Sequence, residues 1–90
     1  MTAVIDGATI ESRQQLHDAM AEQLALPEWY GRNLDALFDC LTDRTDDVEL
    51  VIRNRRALFA SLGIYAQVLE DMLGTAAEEN PRIFLRFEEE

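Results

Sequence analysis

The chain has 90 residues, of which 18 are acidic and 8 are basic, so its net charge is −10 and its pI is near 4.3. This length allows one hydrophobic core, and an apolar fraction of 48% is typical of a folded domain, which we expect to span 1–90. Such acidity argues against nucleic acid and anionic membranes as partners, and it either favours a cationic protein surface or only keeps the chain soluble.

Signals for export and for disulfide formation are missing from the sequence. The N-terminus has no basic stretch followed by an apolar one, and no apolar run is long enough to cross a membrane. Cys40 is the single cysteine, so an internal disulfide cannot form, and its apolar helical surroundings favour a buried thiol. These features predict a cytoplasmic protein.

The first segment of the chain predicts a strand and a helix. The β-branched run TAVID, residues 2–6, is closed by Gly7 as a strand would be. Ser12 begins the capping-box pattern S-x-x-Q ahead of an apolar stripe at helical spacing. This helix should end near Leu26, because Pro27 disfavours helical dihedral angles in the residue before it.

A loop and a second helix follow. Residues 27–32 predict a loop, in which Gly31 is free to adopt backbone angles that other residues avoid. Asn33 is a suitable N-cap for the next helix. The apolar stripe of that helix consists of Leu34, Leu37, Cys40 and Leu41.

The middle of the chain predicts a second strand and a third helix. Residues 48–52, VELVI, are β-prone and mostly apolar, as in a strand buried on both faces. Asn54 can cap a short helix that Gly63 would end. The basic run 53–56, RNRR, is best explained as a solvated strand end and helix start.

The last third of the chain predicts a fourth helix and a third strand. The apolar stripe of this helix is wide and consists of Val68, Leu69, Met72, Leu73 and Ala76. Asn80 and Pro81 stop it, and IFLRF, residues 83–87, predicts a strand. Residues 88–90 should form a frayed acidic tail. Because helical crossovers join the strands, we expect an α/β fold in which a three-stranded parallel sheet packs against about four helices.

No residue pattern in the sequence supports catalysis. His17 is the sole histidine and lies beside the apolar stripe of its helix, which predicts a surface or boundary residue rather than a general base. No metal-ligand spacing or phosphate-binding loop is present. Asp35 and Asp39 share one helical turn and cannot face each other across a substrate, as a glycosidase pair must. We therefore expect a protein that is not an enzyme and needs no cofactor or metal.

The second helix bears an acidic face that repels itself. Asp35, Asp39 and Asp43 follow at intervals of four, a spacing that places like charges side by side at a small energetic cost. Phe38 and Thr42 share this side, and two aromatic residues lie in the preceding loop, namely Trp29 and Tyr30. Carboxylates beside aromatic rings are typical of protein interfaces, so this face predicts the binding of a cationic partner.

The same residues resemble a known family. The run LALPEWYGRNLDALFDCLT, residues 24–42, is similar to the barstar family of intracellular inhibitors of barnase-type secreted ribonucleases. The start of the chain and its length match as well. The resemblance implies a barstar-like α/β fold and one-to-one blockade of a basic ribonuclease, with no enzymatic activity.

The resemblance also implies roles for individual residues. Asp39 would replace a substrate phosphate among the cationic groups of the nuclease, and Asp35 would accept hydrogen bonds beside it. Trp29 would stack on the active-site surface. Positions that border the interface are filled by Gly31, Asn33, Leu34, Phe38 and Thr42, and the acidic face with its loop adds Tyr30 and Asp43 to the predicted contact residues.

The chain departs from the family at several contact positions. Trp29 and Phe38 replace a tyrosine and a tryptophan, and Arg44 stands in place of an interface tryptophan, where a cation would oppose a basic partner. Thr75 aligns with an acidic contact of the last helix. The partner could therefore be another nuclease, including a toxin domain for which this chain is the immunity protein. The alternative is a non-inhibitory acidic module that binds another cationic protein.

Overall fold

The strands and helices follow one another in the predicted order. The computed structural model describes residues 1–89 and contains β1 (Thr2–Asp6), α1 (Arg13–Leu24), α2 (Leu34–Thr42), β2 (Val48–Arg53), α3 (Arg55–Leu62), α4 (Ile64–Glu79) and β3 (Ile83–Phe87). A short 3₁₀ turn at Gly7–Thr9, which the sequence did not predict, joins β1 to the segment before α1. The predicted α/β class is confirmed.

The sheet has three parallel strands in the order β1-β2-β3. Val51 of β2 is paired with Val4 of β1, and Leu50 of β2 is paired with Leu85 of β3. β2 is the central strand, and four of its six residues are completely buried, namely Val48, Leu50, Val51 and Ile52. The central position of β2 explains its apolar sequence, which predicted a strand buried on both faces.

The helices bury one side each in a shared core, in which α1 packs against β1, α4 packs against β3, and α2 and α3 pack against α4. The core combines the strand residues Ala3, Ile5, Val48, Leu50, Ile52 and Ile83 with the helical residues Leu16, Met20, Leu24, Leu37, Leu41, Leu58, Leu69, Leu73 and Ala76. Because α2 contributes Leu37 and Leu41 to this core, its opposite side is turned outward.

Two helix ends differ from the prediction. α1 ends at Leu24 rather than near Leu26, because Ala25 adopts the left-handed conformation with φ of 54°. Asn54 precedes α3 as expected but does not cap it with its side chain. An N-cap side chain needs extended backbone angles, whereas Asn54 has φ of 53°, and its amide donates to Asp6 at 2.6 Å instead.

The apolar stripe predicted for α4 is too wide. Leu69, Leu73 and Ala76 are buried, but Val68 is 48% exposed. A helix that packs on one side only can bury an apolar stripe of limited width. Val68 lies outside the buried stripe of α4, on the same side of the helix as the exposed Ile64.

The basic run 53–56 is the solvated strand end and helix start that the sequence predicts, and it also forms ion pairs with distant glutamates. Arg55 binds Glu70 of α4 through two hydrogen bonds of 2.7 and 2.8 Å, and Arg53 binds Glu88 at 3.1 Å. The glutamates lie 15 and 35 residues further along the chain, a separation at which sequence patterns reveal no pairing.

The acidic end of the chain is more ordered than predicted. The backbone N–H of Glu88 donates to the carbonyl of Ile52 at 2.8 Å, and the Glu88 carbonyl accepts from Arg55. These bonds continue the β2–β3 ladder, so the prediction of fraying is wrong for Glu88. The last residue of the predicted tail, Glu90, lies outside the described residues.

Candidate functional site

The start of α2 is fixed by its N-cap. Asn33 has extended backbone angles, and its side-chain oxygen accepts from the N–H of Ala36 at 2.8 Å, as predicted. Its amide nitrogen donates to the carbonyl of Gly31 at 3.1 Å, which ties the preceding loop to the helix. The Asn33 side chain therefore stabilises both the first turn of α2 and the loop before it.

The end of α2 is held by a residue from a distant part of the chain. Asn80 is 7% exposed, and its amide donates to the carbonyls of Leu41 at 2.9 Å and Arg44 at 3.0 Å. These carbonyls lie at the C-terminal end of the helix, where partners within the helix are missing. The sequence assigned Asn80 only the role of ending α4, because nothing local indicates a bond across 39 residues.

The predicted acidic face lies on the surface. Asp35, Asp39 and Asp43 are exposed, while Phe38 and Thr42 are half-buried on the same side of α2. Within residues 1–89, none of the three carboxylates forms an ion pair. No direct ion pair in the described part of the chain therefore offsets the repulsion between these charges.

The two arginines that flank this face are bound elsewhere. Arg32 forms an ion pair with Asp18 of α1. Arg44 binds both carboxylate oxygens of Asp46 at 3.0 and 2.9 Å and donates to the carbonyl of Leu24 at 2.6 Å. These hydrogen bonds lower the pKa of Asp46. Arg44 is therefore already paired with an anion, which reduces the repulsion that an isolated cation would exert on a basic partner.

A groove of about 600 Å³ runs between α2 and the loop before it. We call it the acidic groove, and its lining comprises Ala25, Leu26, Pro27, Trp29, Tyr30, Gly31, Ala36, Asp39, Cys40, Asp43 and Arg44. Trp29 is 81% exposed at its edge, an unusual exposure for a large apolar side chain. The tertiary structure thus brings Trp29, Asp39 and Asp43 to one groove.

Tyr30 and His17 lie inside the protein rather than on its surface. Tyr30 is 4% exposed, so almost none of its side chain is offered to a partner, although the sequence placed it on the binding face. Its hydroxyl is 2.5 Å from Nδ1 of His17, and the hydroxyl of Tyr65 is 2.8 Å from Nε2. His17 is 1% exposed, so the prediction of a surface or boundary residue is wrong.

The two hydrogen bonds make this burial possible. A buried imidazole is costly unless both nitrogens have partners, and here hydroxyl groups from the loop and from α4 supply them. His17 thereby joins α1, the loop before α2, and α4. The sequence could not reveal this network, since its members are separated by 13 and 48 residues.

We expect the stability of the protein to fall between pH 7.5 and pH 5.5. Burial lowers the pKa of His17, and Arg32 lowers it further, while Asp18 acts weakly in the opposite direction. Below about pH 6.5 the unfolded chain binds a proton at His17 that the folded chain does not, so the free energy of unfolding decreases as the pH falls. Urea titrations at several pH values measure this slope. His17→Gln should flatten it, and an unchanged slope in that variant would contradict the assignment.

The positive φ in the loop before α2 lies at a different residue than predicted. Arg32 has φ of 53°, whereas Gly31 does not adopt a positive φ. A Cβ at Gly31 would lie 3.3 Å from both Ala36 Cβ and Asn33 Nδ2, a tight contact that these side chains would have to relieve by a small shift. The loop therefore approaches the first turn of α2 very closely.

Cys40 is half-buried beneath the acidic groove, consistent with a structural thiol. Burial raises the pKa of its thiol, and the negative charges of Asp39 and Asp43 raise it further. The thiol is thus kept protonated and is a poor nucleophile. In the part of the chain that the structure describes, no group of three or more His, Cys, Asp or Glu side chains could hold a metal ion. No helix there is long and apolar enough to cross a bilayer.

Two comparisons with known proteins find similarity over most of the chain. The family model described as Barstar (barnase inhibitor) matches residues 1–88. The chain is also 42% identical over 77 residues to the "Putative ribonuclease inhibitor YrdF" of Bacillus subtilis (strain 168). That alignment covers 84% of this chain and 85% of the relative.

Proposed function

This chain belongs to the barstar family, and from that premise we propose that it inhibits a basic ribonuclease by filling the active site with α2 and the loop before it. The family description and the name of the relative both refer to inhibition of ribonucleases rather than to an enzymatic activity. In this proposal the chain is a binding protein, and its acidic face is the functional surface.

One observation supports this proposal more than any other. Asp35, Asp39 and Asp43 are exposed and without an ion pair in residues 1–89, although Arg32 and Arg44 lie nearby. A protein selected only for solubility could pair these charges internally at little cost. Leaving them unpaired makes sense when a partner supplies the cations.

The proposed mechanism is mimicry of the anionic substrate. Asp39 occupies the position of a substrate phosphate among the cationic catalytic groups, and Asp35 accepts hydrogen bonds beside it. Trp29 stacks on the surface of the nuclease and excludes water, which strengthens the neighbouring ion pairs. The repulsion between carboxylates in the free protein becomes attraction in the complex. Bordering contacts come from Gly31, Asn33, Leu34, Phe38, Thr42 and Asp43.

The proposed partner is a basic secreted ribonuclease or the nuclease domain of a toxin, bound one-to-one by a monomer of this chain in the cytoplasm. A net charge of −10 accelerates the encounter with a cationic nuclease. Association should therefore slow steeply as the ionic strength rises, because salt screens this attraction.

An inhibition assay tests the proposal directly. Barnase and the ribonucleases secreted by the source organism are titrated with the purified protein while RNA cleavage is followed. We expect activity to vanish at one equivalent, and a mononucleotide bound in the active site should raise the apparent Kd in proportion to its concentration. Binding without loss of cleavage would favour the non-inhibitory module instead. Inhibition that is insensitive to the mononucleotide would exclude occupation of the active site.

A further inference from the structure

A second cleft, of about 690 Å³, opens on the other side of the start of α2. We call it the arginine cleft, because its lining includes Arg13 and Arg32 together with Asn33, Asp35 and Tyr65. Asp35 lines this cleft, whereas Asp39 and Asp43 line the acidic groove. The acidic face of α2 therefore borders the acidic groove on one side and the arginine cleft on the other.

Arg13 is held in place without being neutralised. Its guanidinium carbon lies 4.2 Å from the centre of the Tyr65 ring, a stacking geometry that orients the side chain. The Tyr65 hydroxyl is in turn fixed by Nε2 of His17 at 2.8 Å. Arg13 is exposed and forms no ion pair with any carboxylate of residues 1–89. It is thus a positioned cation that lacks an anionic partner.

Arg32 is neutralised only by an exchangeable contact. Its ion pair with Asp18 is on the surface, with the two side chains 47% and 52% exposed. Exposed pairs of this kind contribute little net stability, so a better-placed carboxylate can replace Asp18. Arg32 has a left-handed backbone conformation in the loop before α2. It lines the cleft beside the proposed contact surface.

These observations conflict with a partner whose contact surface is uniformly positive. Arg13, which has no carboxylate partner in residues 1–89, would repel such a surface beside the place where the complex must form, and Arg32 would add to this whenever it is released from Asp18. A nucleic-acid occupant is disfavoured, because the whole chain is strongly anionic and repels a polyanion. A carboxylate on the nuclease itself satisfies the local positive charge without bringing in a polyanion.

We propose that Arg13 and Arg32 bind an Asp or Glu side chain of the nuclease, next to the cationic site that receives Asp39. This inference rests on the proposed inhibitory function and adds a requirement for the partner, whose surface must carry both signs of charge. The arginine cleft then contributes to specificity. A basic nuclease that lacks this carboxylate would place its own cationic groups opposite Arg13 and Arg32, and the like charges would repel.

The test uses whichever ribonuclease the wild-type protein inhibits in the assay above. Arg13→Gln and Arg32→Gln should each raise the Kd about tenfold or more, mainly through faster dissociation. Arg56→Gln is the matched control, since Arg56 is 89% exposed, lies outside the cleft, and its replacement changes the net charge equally. The control should bind like wild type or slightly more tightly. Unchanged or tighter binding by both cleft variants would overturn the proposal.

A double-mutant cycle identifies the partner group. Each Asp and Glu on the surface of the nuclease is changed to its amide, and we expect one of these changes to abolish the additional loss caused by Arg13→Gln. If no carboxylate couples to Arg13 or Arg32, the proposal is wrong. Saturable binding of inorganic phosphate to wild type, lost in Arg13→Gln, would also overturn it by assigning the cleft to a free anion.

The outcomes separate this inference from the proposed function. If wild type inhibits a ribonuclease but the cleft variants do not weaken the complex, only the arginine cleft is misassigned. If wild type inhibits neither barnase nor any secreted ribonuclease of its source, the inhibitory function fails and this inference fails with it.

Discussion

Asp39→Ala should abolish tight inhibition while leaving the fold intact. The Asp39 side chain is exposed and makes no ion pair in residues 1–89. Its removal should therefore leave the stability of the free protein unchanged. In the complex, the same removal leaves cationic groups of the nuclease buried without an anion. Such truncations cost about 2–5 kcal/mol, a range for which the barnase–barstar pair is itself a reference system. The Kd should therefore rise roughly 30- to 4,000-fold.

Two further variants separate the local charge from the net charge. Asp39→Asn keeps the shape of the side chain and should lose most of the same affinity. Glu49→Gln removes an equal charge from β2, where Glu49 lies 4.0 Å from Arg86 and outside the lining of the acidic groove. This control should only slow association slightly, as expected for a change in long-range attraction. Association and dissociation rates from stopped-flow measurements distinguish the two effects. If Asp39→Ala inhibits as well as wild type, the role of Asp39 is refuted.

Gly7→Ala should destabilise the protein by about 3 kcal/mol, because the new methyl group has no room. A Cβ at Gly7 would lie 2.4 Å from the carbonyl oxygen of Asn54 and 2.9 Å from the backbone nitrogen of Leu58. These are backbone atoms at the start of α3, so relief requires the 3₁₀ turn to move away from the helix. Urea denaturation of both proteins measures the difference in free energy of unfolding.

Gly74→Ala provides the matched comparison for Gly7→Ala. Gly74 lies within α4, and no atom lies within 4 Å of a Cβ built there. Alanine favours the helix over glycine by about 1 kcal/mol, so this variant should be more stable than wild type by roughly that amount. Equal effects of the two changes would mean that the close approach of Gly7 to Asn54 does not limit stability.

The local elements could be predicted because their signals are short-range. Ser12 and Asn33 are N-caps whose side chains bond three residues ahead, and both do so in the structure. The outward acidic face of α2 could be predicted for the same reason, since residues four apart share one side of a helix. The apolar run of β2 indicated a central strand before its neighbours were known.

The sequence by itself therefore determined the α/β order, the acidic face of α2 and the resemblance to an inhibitor family. Only the tertiary structure decided which charges remain free. Arg32 and Arg44 could have neutralised the acidic face, but they bind Asp18 and Asp46 instead. The burial of His17 between two tyrosines and the unpaired Arg13 in the cleft were also decided there. The physical reason is distance along the chain: helix and strand patterns depend on neighbours within a few residues, whereas pairing and burial depend on which remote segments the core brings together.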